Sequence, residues 1–224
     1  MITDLPLLRL LQLVSPGLPI GMYSYSQGLE RAVEDGWITH ENDVLHWLTG
    51  LLENALQSID LPILARLHEI WQYGDLEQIK YWSGILMAFR ETSELRDEDR
   101  QTGQALARLL TELGIGAADE WRRRSDTTLA LLFALAATEW NISLRDTLIG
   151  YAWSWLENQV LCAVKLVPLG QVAGQRLLGE LAFVLPEVVD QALSLKDDEI
   201  GGGAFGFALT SSRHEQQYSR LFRS

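Results

Sequence analysis

A single lysine in an apolar stretch is the first residue of this sequence that could do covalent chemistry. Lys165 is the only charged residue between Glu157 and Arg176, and the residues beside it are apolar. A lysine desolvated by such neighbours can lose its proton and act as a nucleophile. Two other interpretations stay open. The ammonium can extend to the surface at the end of a helix, or it can be a contact residue on an apolar surface.

Acidic residues between Glu94 and Asp99 offer a second possible chemistry. Carboxylates that project together from one helix face can hold magnesium and a diphosphate, as in all-α isoprenoid synthases. Here the position four residues after Asp97 is Gln101, and interleaved arginines compete for the carboxylates. An enzyme that uses this cluster or the lysine remains an alternative. The simpler interpretation of the charged run 90–100 is a solvated helix face.

The patterns that would bind a metal or a phosphate are weak. No two of the four histidines are three or four residues apart, and no HExxH motif occurs, so a zinc or nickel site built from one helix is unsupported, while a site shared between helices or between two copies of the chain stays open. The single cysteine excludes an internal disulfide and a cysteine-rich metal cage. Gly201, Gly203 and Gly206 match GxGxxG, but no predicted strand precedes them, and no P-loop motif is present. We therefore predict no catalytic residue, no cofactor and no metal site.

The charge balance and the cysteine content limit the partners and the compartment. The chain of 224 residues has a formal net charge of −12, which disfavours binding to nucleic acid. Its start lacks the pattern of a signal peptide, and one cysteine fits a reducing compartment. We expect a cytoplasmic protein that binds neither nucleic acid nor membrane.

The elements that must position these residues are helices almost throughout. Apolar residues recur with the helical period in several segments, for example 44–59. Asp75 and Ser143 stand where N-caps are expected, and Gly36 and Gly74 stand where helices end. No strand alternation or hairpin dipeptide stands out. The sequence therefore predicts an all-α fold, a single-domain multi-helix bundle with a flexible C-terminal tail.

The uncharged segment 10–29 is long enough to suggest a membrane span, since about 20 apolar residues cross a bilayer. Pro16, Gly17, Pro19 and Gly21 argue against this interpretation because they interrupt the helix in its middle. We predict instead a short apolar helix, a stiff turn that displays tyrosines, and a second helix.

Three further helix starts follow from local signals. Ser24 and Gln27 have the spacing of a capping box. Thr39 is a candidate N-cap, and Pro62 is typical of the first turn of a new helix.

The composition divides the chain into three parts. Residues 1–195 form the helical domain, 196–206 an acidic and then glycine-rich linker, and 207–224 a C-terminal tail that orders on a partner. The tail combines apolar and basic side chains: Tyr218, Leu221, Phe222, Arg213, Arg220 and Arg223.

Four motifs, in order along the chain, resemble those of the urease accessory protein UreF family. They are LVSPGLPIG with YSYSQGLE (13–21 and 23–30), RET with ELR (90–92 and 94–96), VKLVP with GQ (164–168 and 170–171), and the tail RHEQQYSRLFRS (213–224). The resemblance covers essentially the whole chain. One departure is visible, because the family usually has a second glycine where Met22 stands.

The resemblance implies an all-α assembly factor that is not an enzyme and that helps to install the dinickel centre of urease. It implies a homodimer that bridges the GTPase UreG and the accessory protein UreD (UreH in some organisms), docks on apo-urease and controls nickel delivery. An alternative is a GTPase-activating protein for UreG. Such a protein usually needs a catalytic arginine, for which Arg90, Arg213 and Arg220 are candidates.

The resemblance also implies which residues bind partners. They are Pro19, Gly21, Tyr23, Ser24, Tyr25, Glu30, Lys165, Arg213, His214, Glu215, Tyr218, Arg220 and Phe222. The N-terminal loop would recruit one partner, the tail would order on UreD, and Lys165 would lie near the same surface. We expect the docked tail to hold the loop in place through hydrogen bonds from its arginines to loop carbonyls.

Overall fold

The computed structural model describes residues 4–224, and α-helices form most of this part of the chain. In chain order they are α1 (Leu5–Leu13), α2 (Leu29–Glu34), α3 (Glu41–Leu51), α4 (Leu61–Trp71), α5 (Leu76–Ala88), α6 (Ser93–Glu112), α7 (Leu129–Glu139), α8 (Leu144–Leu166), α9 (Gln171–Ala182), α10 (Leu185–Ser194) and α11 (Phe205–His214). A π-helix spans Leu52–Asp60, and 3₁₀ turns lie at Met22–Ser24, Gly116–Trp121 and Asp197–Glu199. No strand occurs among residues 4–224, so the all-α prediction is confirmed.

Helix α7 is the centre of the bundle. Its residues 130–137 are all buried, and it packs against α4, α5, α6 and α8. The close crossing of α6 and α7 requires a glycine, because a Cβ at Gly103 would lie 2.6 Å from the carbonyl carbon of Thr128. A single contiguous apolar core results, to which most of the helices contribute.

Several helix ends follow the sequence signals. Asp75 accepts hydrogen bonds from two main-chain N–H groups at the start of α5, and Ser143 caps α8 through the N–H of Asp146. Gly36 and Gly74 both have positive φ directly after a helix, as a C-terminal glycine should.

Three of the predicted helix starts are wrong in detail. Gln27 has φ +53°, which interrupts the helix that the Ser24 spacing predicted, so α2 begins only at Leu29. The N-cap of α3 is His40, because Thr39 uses its hydroxyl to donate to Asp43.

Pro62 does not open a separate helix. The π-helix runs directly into α4, with the proline in the first turn of α4. The wider i→i+5 hydrogen bonding of a π-helix removes the need for a break at this point.

The C-terminal part of the chain lies against the bundle, which corrects the prediction of a flexible tail. Helix α11 begins at Phe205, inside the predicted linker 196–206, and packs against α2. Beyond α11, Gln217, Phe222 and Ser224 are buried. No helix among residues 4–224 has both the length and the apolar content needed to cross a membrane.

Candidate functional site

The N-terminal loop, residues 15–28, is held to the bundle by a buried tyrosine. The hydroxyl of Tyr25 donates to Gln101 of α6 at 3.0 Å, and its carbonyl accepts from the Asn158 amide of α8 at 3.0 Å. Only 4% of Tyr25 is exposed. The predicted display of tyrosines is therefore half right, since Tyr23 is 65% exposed and Tyr25 is the anchor beneath it.

The end of the tail runs beside this loop and bonds to its main chain. The N–H of Arg223 donates to the Ser24 carbonyl at 2.8 Å. The N–H of Ser26 donates to the Ser224 carbonyl oxygen at 2.8 Å, and the Ser26 hydroxyl donates to the same oxygen at 2.5 Å. The expected contact between tail and loop is present, but main-chain groups and the Ser26 hydroxyl make it instead of arginine side chains.

Glu30 in α2 joins the loop side of the site to the tail. Its carboxylate accepts the main-chain N–H of Leu221 at 2.7 Å and that of Phe222 at 2.9 Å. The glutamate is buried, so these charge-assisted bonds stabilise the docked tail. Glu30 therefore fixes the tail to α2 from a buried position and is not part of the exposed face of the site.

His214, at the end of α11, is fully buried between two carboxylates. Its Nδ1 lies 2.7 Å from Glu94 and its Nε2 lies 3.3 Å from Glu30. Each ring nitrogen therefore faces a carboxylate from a different helix, Glu94 from α6 and Glu30 from α2. Glu94 also accepts a bond from Arg220 at 2.5 Å, so this glutamate of α6 holds two tail residues.

Two further contacts tie the tail to the bundle. Glu215 accepts bonds from the main-chain N–H and the hydroxyl of Ser93 at 2.8 and 2.6 Å, and the hydroxyl bond lowers the pKa of the Glu215 carboxyl. Arg213 forms an ion pair with Asp35 at 2.9 Å. Tyr218 makes no side-chain hydrogen bond within residues 4–224 and is fully exposed.

Lys165 meets the tail directly. Its ammonium nitrogen lies 5.5 Å from the centre of the Phe222 ring, within the range of a cation–π interaction. The lysine is exposed and the ring is buried. The placement near the loop and tail agrees with the resemblance, and an exposed ammonium lacks the desolvation that a lysine nucleophile needs.

Glu98 receives one hydrogen bond from the loop and one from the tail. The Gln27 amide donates to it at 2.8 Å and the Ser224 hydroxyl at 3.0 Å. Gln27 is itself positioned by Trp155, whose indole N–H donates to its side-chain oxygen at 2.7 Å. Burial raises the pKa of the Glu98 carboxyl to about 7, against the lowering effect of these two bonds.

The charged run 90–100 is not a solvated face, contrary to the sequence interpretation. Arg90 bonds both Asp60 and Asp99, and all three are largely buried. Burial lowers the pKa of Arg90, but the two carboxylates raise it by more, so it stands well above its ordinary value. Asp99 also accepts the N–H of Leu129 at 2.7 Å, which ties this cluster to the first turn of α7.

A cavity of about 50 Å³ lies under the loop. Arg90, Glu98, Tyr151 and Trp155 contribute to its wall, and Met22 closes it from the loop side. Met22 also lines an apolar cavity beneath Tyr23. The residue that departs from the family pattern therefore supports the loop from within.

The other candidate chemistries find no support in this arrangement. Burial raises the pKa of the Cys162 thiol to about 12, so the thiolate is not available as a ligand or nucleophile. Among residues 4–224, no three His, Cys, Asp or Glu side chains converge as a metal site. The three arginines proposed for GTPase activation are all held by carboxylates: Arg90, Arg213 and Arg220.

The structure separates the thirteen predicted partner-binding residues into two groups. An exposed group faces solvent: Pro19, Tyr23, Lys165, Arg213, Glu215, Tyr218 and Arg220. The remaining residues are buried or half-buried and hold the exposed ones in place: Gly21, Ser24, Tyr25, Glu30, His214 and Phe222. Whether the exposed group binds partners stays a prediction.

Sequence reasoning missed the residues that connect loop and tail from below. Glu98, Asn158 and Trp155 of the bundle bond the loop, and Gln27 of the loop takes part in two of these bonds, yet the sequence interpretation did not assign any of them to the site. The only sequence signal that could have indicated Glu98 was its position in the charged run 90–100. A carboxylate there was assigned to solvent because the buried partners come from distant parts of the chain.

A chain without strands in residues 4–224, whose helices pack around one apolar core, belongs to the class of all-α helical bundles. The family model UreF matches residues 38–182. The chain is 55% identical over 216 residues to the urease accessory protein UreF of Alkalilimnicola ehrlichii, covering 96% of this chain and 95% of that protein.

Two further relatives cover nearly the same length. The urease accessory protein UreF of Pseudomonas putida is 49% identical over 222 residues, 99% of each chain. That of Hahella chejuensis is 44% identical over 220 residues, 98% of this chain and 99% of that protein. The chain belongs to the UreF family.

Proposed function

We propose that this chain acts in urease maturation as an adaptor without chemistry of its own. It links the GTPase UreG to the accessory protein UreD (UreH), and the complex docks on apo-urease and governs the delivery of nickel. The observation that carries the proposal is the attachment of the loop to the tail, directly at Ser24 and Ser26 and through the buried carboxylate of Glu98.

The loop supplies the surface for UreG. Tyr23 and Pro19 are exposed, and the anchored Tyr25 lies directly below. A tyrosine on a fixed backbone offers a large contact area at low entropic cost. The loop therefore needs little ordering when it binds.

The tail supplies the surface for UreD. Tyr218 is fully exposed, and 64% of Leu221 faces solvent. Two large apolar side chains exposed three positions apart in one segment fit an interaction site. Since the tail is fixed to the loop, binding of UreD at the tail affects the loop that UreG meets.

The homodimer is supported by helix α1. Leu7, Leu8 and Leu11 fall on one face of α1 and are 56–59% exposed, while Leu13 on another face is buried. A helix that is apolar on both its inner and outer faces is normally covered on both. In a chain of net charge −12, an uncharged face is where two copies meet with least repulsion.

Surface substitutions test the proposal more sharply than deletion of the tail, because deletion would strip the partners from Glu30, Glu94 and Glu98. We expect Y23A to lose co-purification with UreG while it retains UreD, and Y218A to lose UreD. The control is Y73A, which removes a tyrosine that is 85% exposed elsewhere.

Urease activation and urease nickel content, measured with each variant as the cell's sole copy of this protein, should fall for Y23A and Y218A and not for Y73A. Binding of both partners by Y23A and Y218A at the wild-type level would refute the assignment of these surfaces. Failure of the wild-type chain to bind either partner would refute the adaptor function.

A further inference from the structure

A depression beside the loop differs in charge from the rest of this acidic protein. Its volume is about 270 Å³, and it lies between the loop, the exposed side of α6 and the end of the tail. Its polar lining consists of Tyr23, Ser24, Gln101, Gln104, Arg108 and Arg223, together with the Tyr25 hydroxyl, and no Asp or Glu lines it. We call it the basic depression.

Most basic side chains of this chain are neutralised by the chain's own carboxylates. Of the 18 lysines and arginines, eleven form ion pairs with Asp or Glu within residues 4–224. Arg108 and Arg223 are not among them. The two guanidinium groups of the basic depression are therefore free of internal carboxylates.

The two arginines are also exposed and lightly bonded. In the described part of the chain, Arg108 makes no side-chain hydrogen bond, and the Arg223 guanidinium contacts the Tyr25 hydroxyl and, at 3.4 Å, the Gln101 side-chain oxygen, but no carboxylate. On this side of α6, Glu112 lies one turn beyond Arg108 without an ion pair to it within residues 4–224, and Asp97 is paired with Arg100. A guanidinium with unused donors is well suited to bind a carboxylate through two parallel hydrogen bonds.

We infer that the basic depression receives an acidic segment of the GTPase partner, with carboxylates bound by Arg108 and Arg223. The inference rests on the proposed function, since the depression shares Tyr23 with the surface assigned to UreG. A net charge of −12 repels acidic partners over most of this protein, so a local positive site selects where such a partner docks and in which orientation.

The protein partner is favoured over a free anion by the shape and lining of the depression. It is open to solvent and has an exposed tyrosine at its rim, which suits an extended surface contact. Its two arginines stand on different elements, α6 and the end of the tail, so one extended segment can meet both.

The test is the affinity for UreG, measured by titration calorimetry with the full-length chain in its complex with UreD. We expect R108E/R223E to weaken the affinity about tenfold or more and to flatten its dependence on salt, with a smaller loss for R108K, which keeps the charge but not the paired donors. The matched control is R123E, which reverses an exposed arginine that carries no ion pair within residues 4–224 and lies outside the depression.

The outcomes separate this inference from the proposed function. Wild-type affinity in R108E/R223E, or an equal loss in R123E, would overturn the inference while binding of UreG by wild type upholds the adaptor function. Absence of UreG binding by wild type would overturn both. Saturable binding of inorganic phosphate by the free chain, lost in R108E, would assign the depression to a free anion and overturn the protein partner.

Discussion

The carboxylate of Glu30 accepts the main-chain N–H of Phe222 at 2.9 Å, although the two residues are 192 positions apart in the sequence. The bond places the buried Phe222 ring beneath the ammonium of Lys165. Helix α2, helix α8 and the end of the tail therefore form one assembly. A substitution in any one of these three segments should alter the packing of the other two.

Replacement of Glu30 by alanine should release the end of the tail. The buried N–H of Phe222, the partly buried N–H of Leu221 and the buried His214 lose an acceptor, and each unsatisfied buried group costs about 1–3 kcal/mol. We expect E30A to lower the free energy of unfolding by about 2–4 kcal/mol and to abolish hydrogen-exchange protection at the amides of residues 221 and 222.

The control for this prediction is E34A. Glu34 is exposed and lies one turn further along α2, and its contact with the tail is a 3.3 Å bond from the Gln217 amide. Protected amides at 221 and 222 in E30A, or equal effects of E30A and E34A, would contradict the assigned role of Glu30.

Alanine substitutions at two glycines with the same backbone conformation test how closely α11 packs on α2. Gly28 has φ +76° and Gly36 has φ +75°, so alanine is strained by about 1–2 kcal/mol at either. A Cβ at Gly28 would also lie 2.7 Å from the Thr210 hydroxyl of α11, whereas a Cβ at Gly36 would meet no atom within 4 Å.

We expect G28A to be less stable than G36A by about 1–3 kcal/mol and to loosen α11, as measured by chemical denaturation and by hydrogen exchange at residues 205–214. Equal loss of stability in both variants would mean that α11 does not pack closely on Gly28.

Titration of Glu98 should make the stability of the protein depend on pH. Its pKa is about 7 in the folded protein against an ordinary value of 4.5, so between these pH values the folded state holds a proton that the unfolded state has released. Stability from this group is therefore full below pH 4.5 and falls as the pH rises to 7. The free energy of unfolding should fall by at most roughly 3 kcal/mol over this range.

Substitution E98Q removes the titration while an amide can still accept from Gln27 and donate to the Ser224 hydroxyl. We expect the free energy of unfolding of E98Q, relative to that of wild type, to increase as the pH rises from 4.5 to 7. Above pH 7 the difference between the two proteins should stay constant. Urea denaturation across this range measures the difference, and parallel pH profiles of the two proteins would contradict it.

The outer face of α1 should decide the oligomeric state. We expect L8E to shift the protein from dimer to monomer, because a charge in an apolar interface must be desolvated without a partner. The measurement is the molar mass from light scattering after gel filtration.

The control for α1 is F183E, which places the same charge at an apolar residue that is 88% exposed far along the chain. It should leave the molar mass unchanged. A dimer that persists in L8E would move the interface away from α1.

The local signals of the sequence were sufficient for most of the helices. The cap at Asp75, the uncharged core helix α7 and the breaks at Gly36 and Gly74 depend on a few neighbouring residues. Short-range hydrogen bonds and side-chain periodicity decide these features, so they can be recognised without knowledge of the fold.

The same sequence determined which residues belong to the UreF motifs, but only the tertiary structure decided what each one does. Tyr25, Glu30 and His214 carry family motifs and were expected at an exposed surface. Each is buried because its polar atoms find partners on α6, on α8 or on another of these segments. Burial of a polar group depends on such distant partners, and local sequence does not encode them.

The charged run 90–100 shows the same limit most clearly. Its composition is that of a solvated face, and its spacing alone supports that interpretation. Asp60 from the π-helix, Gln27 from the loop and Ser224 from the tail meet this run only in the folded chain. The sequence by itself determined the helices and the family. Only the tertiary structure decided that these charges bond loop and tail, because the free energy of a buried charge is set by partners that folding brings from distant positions.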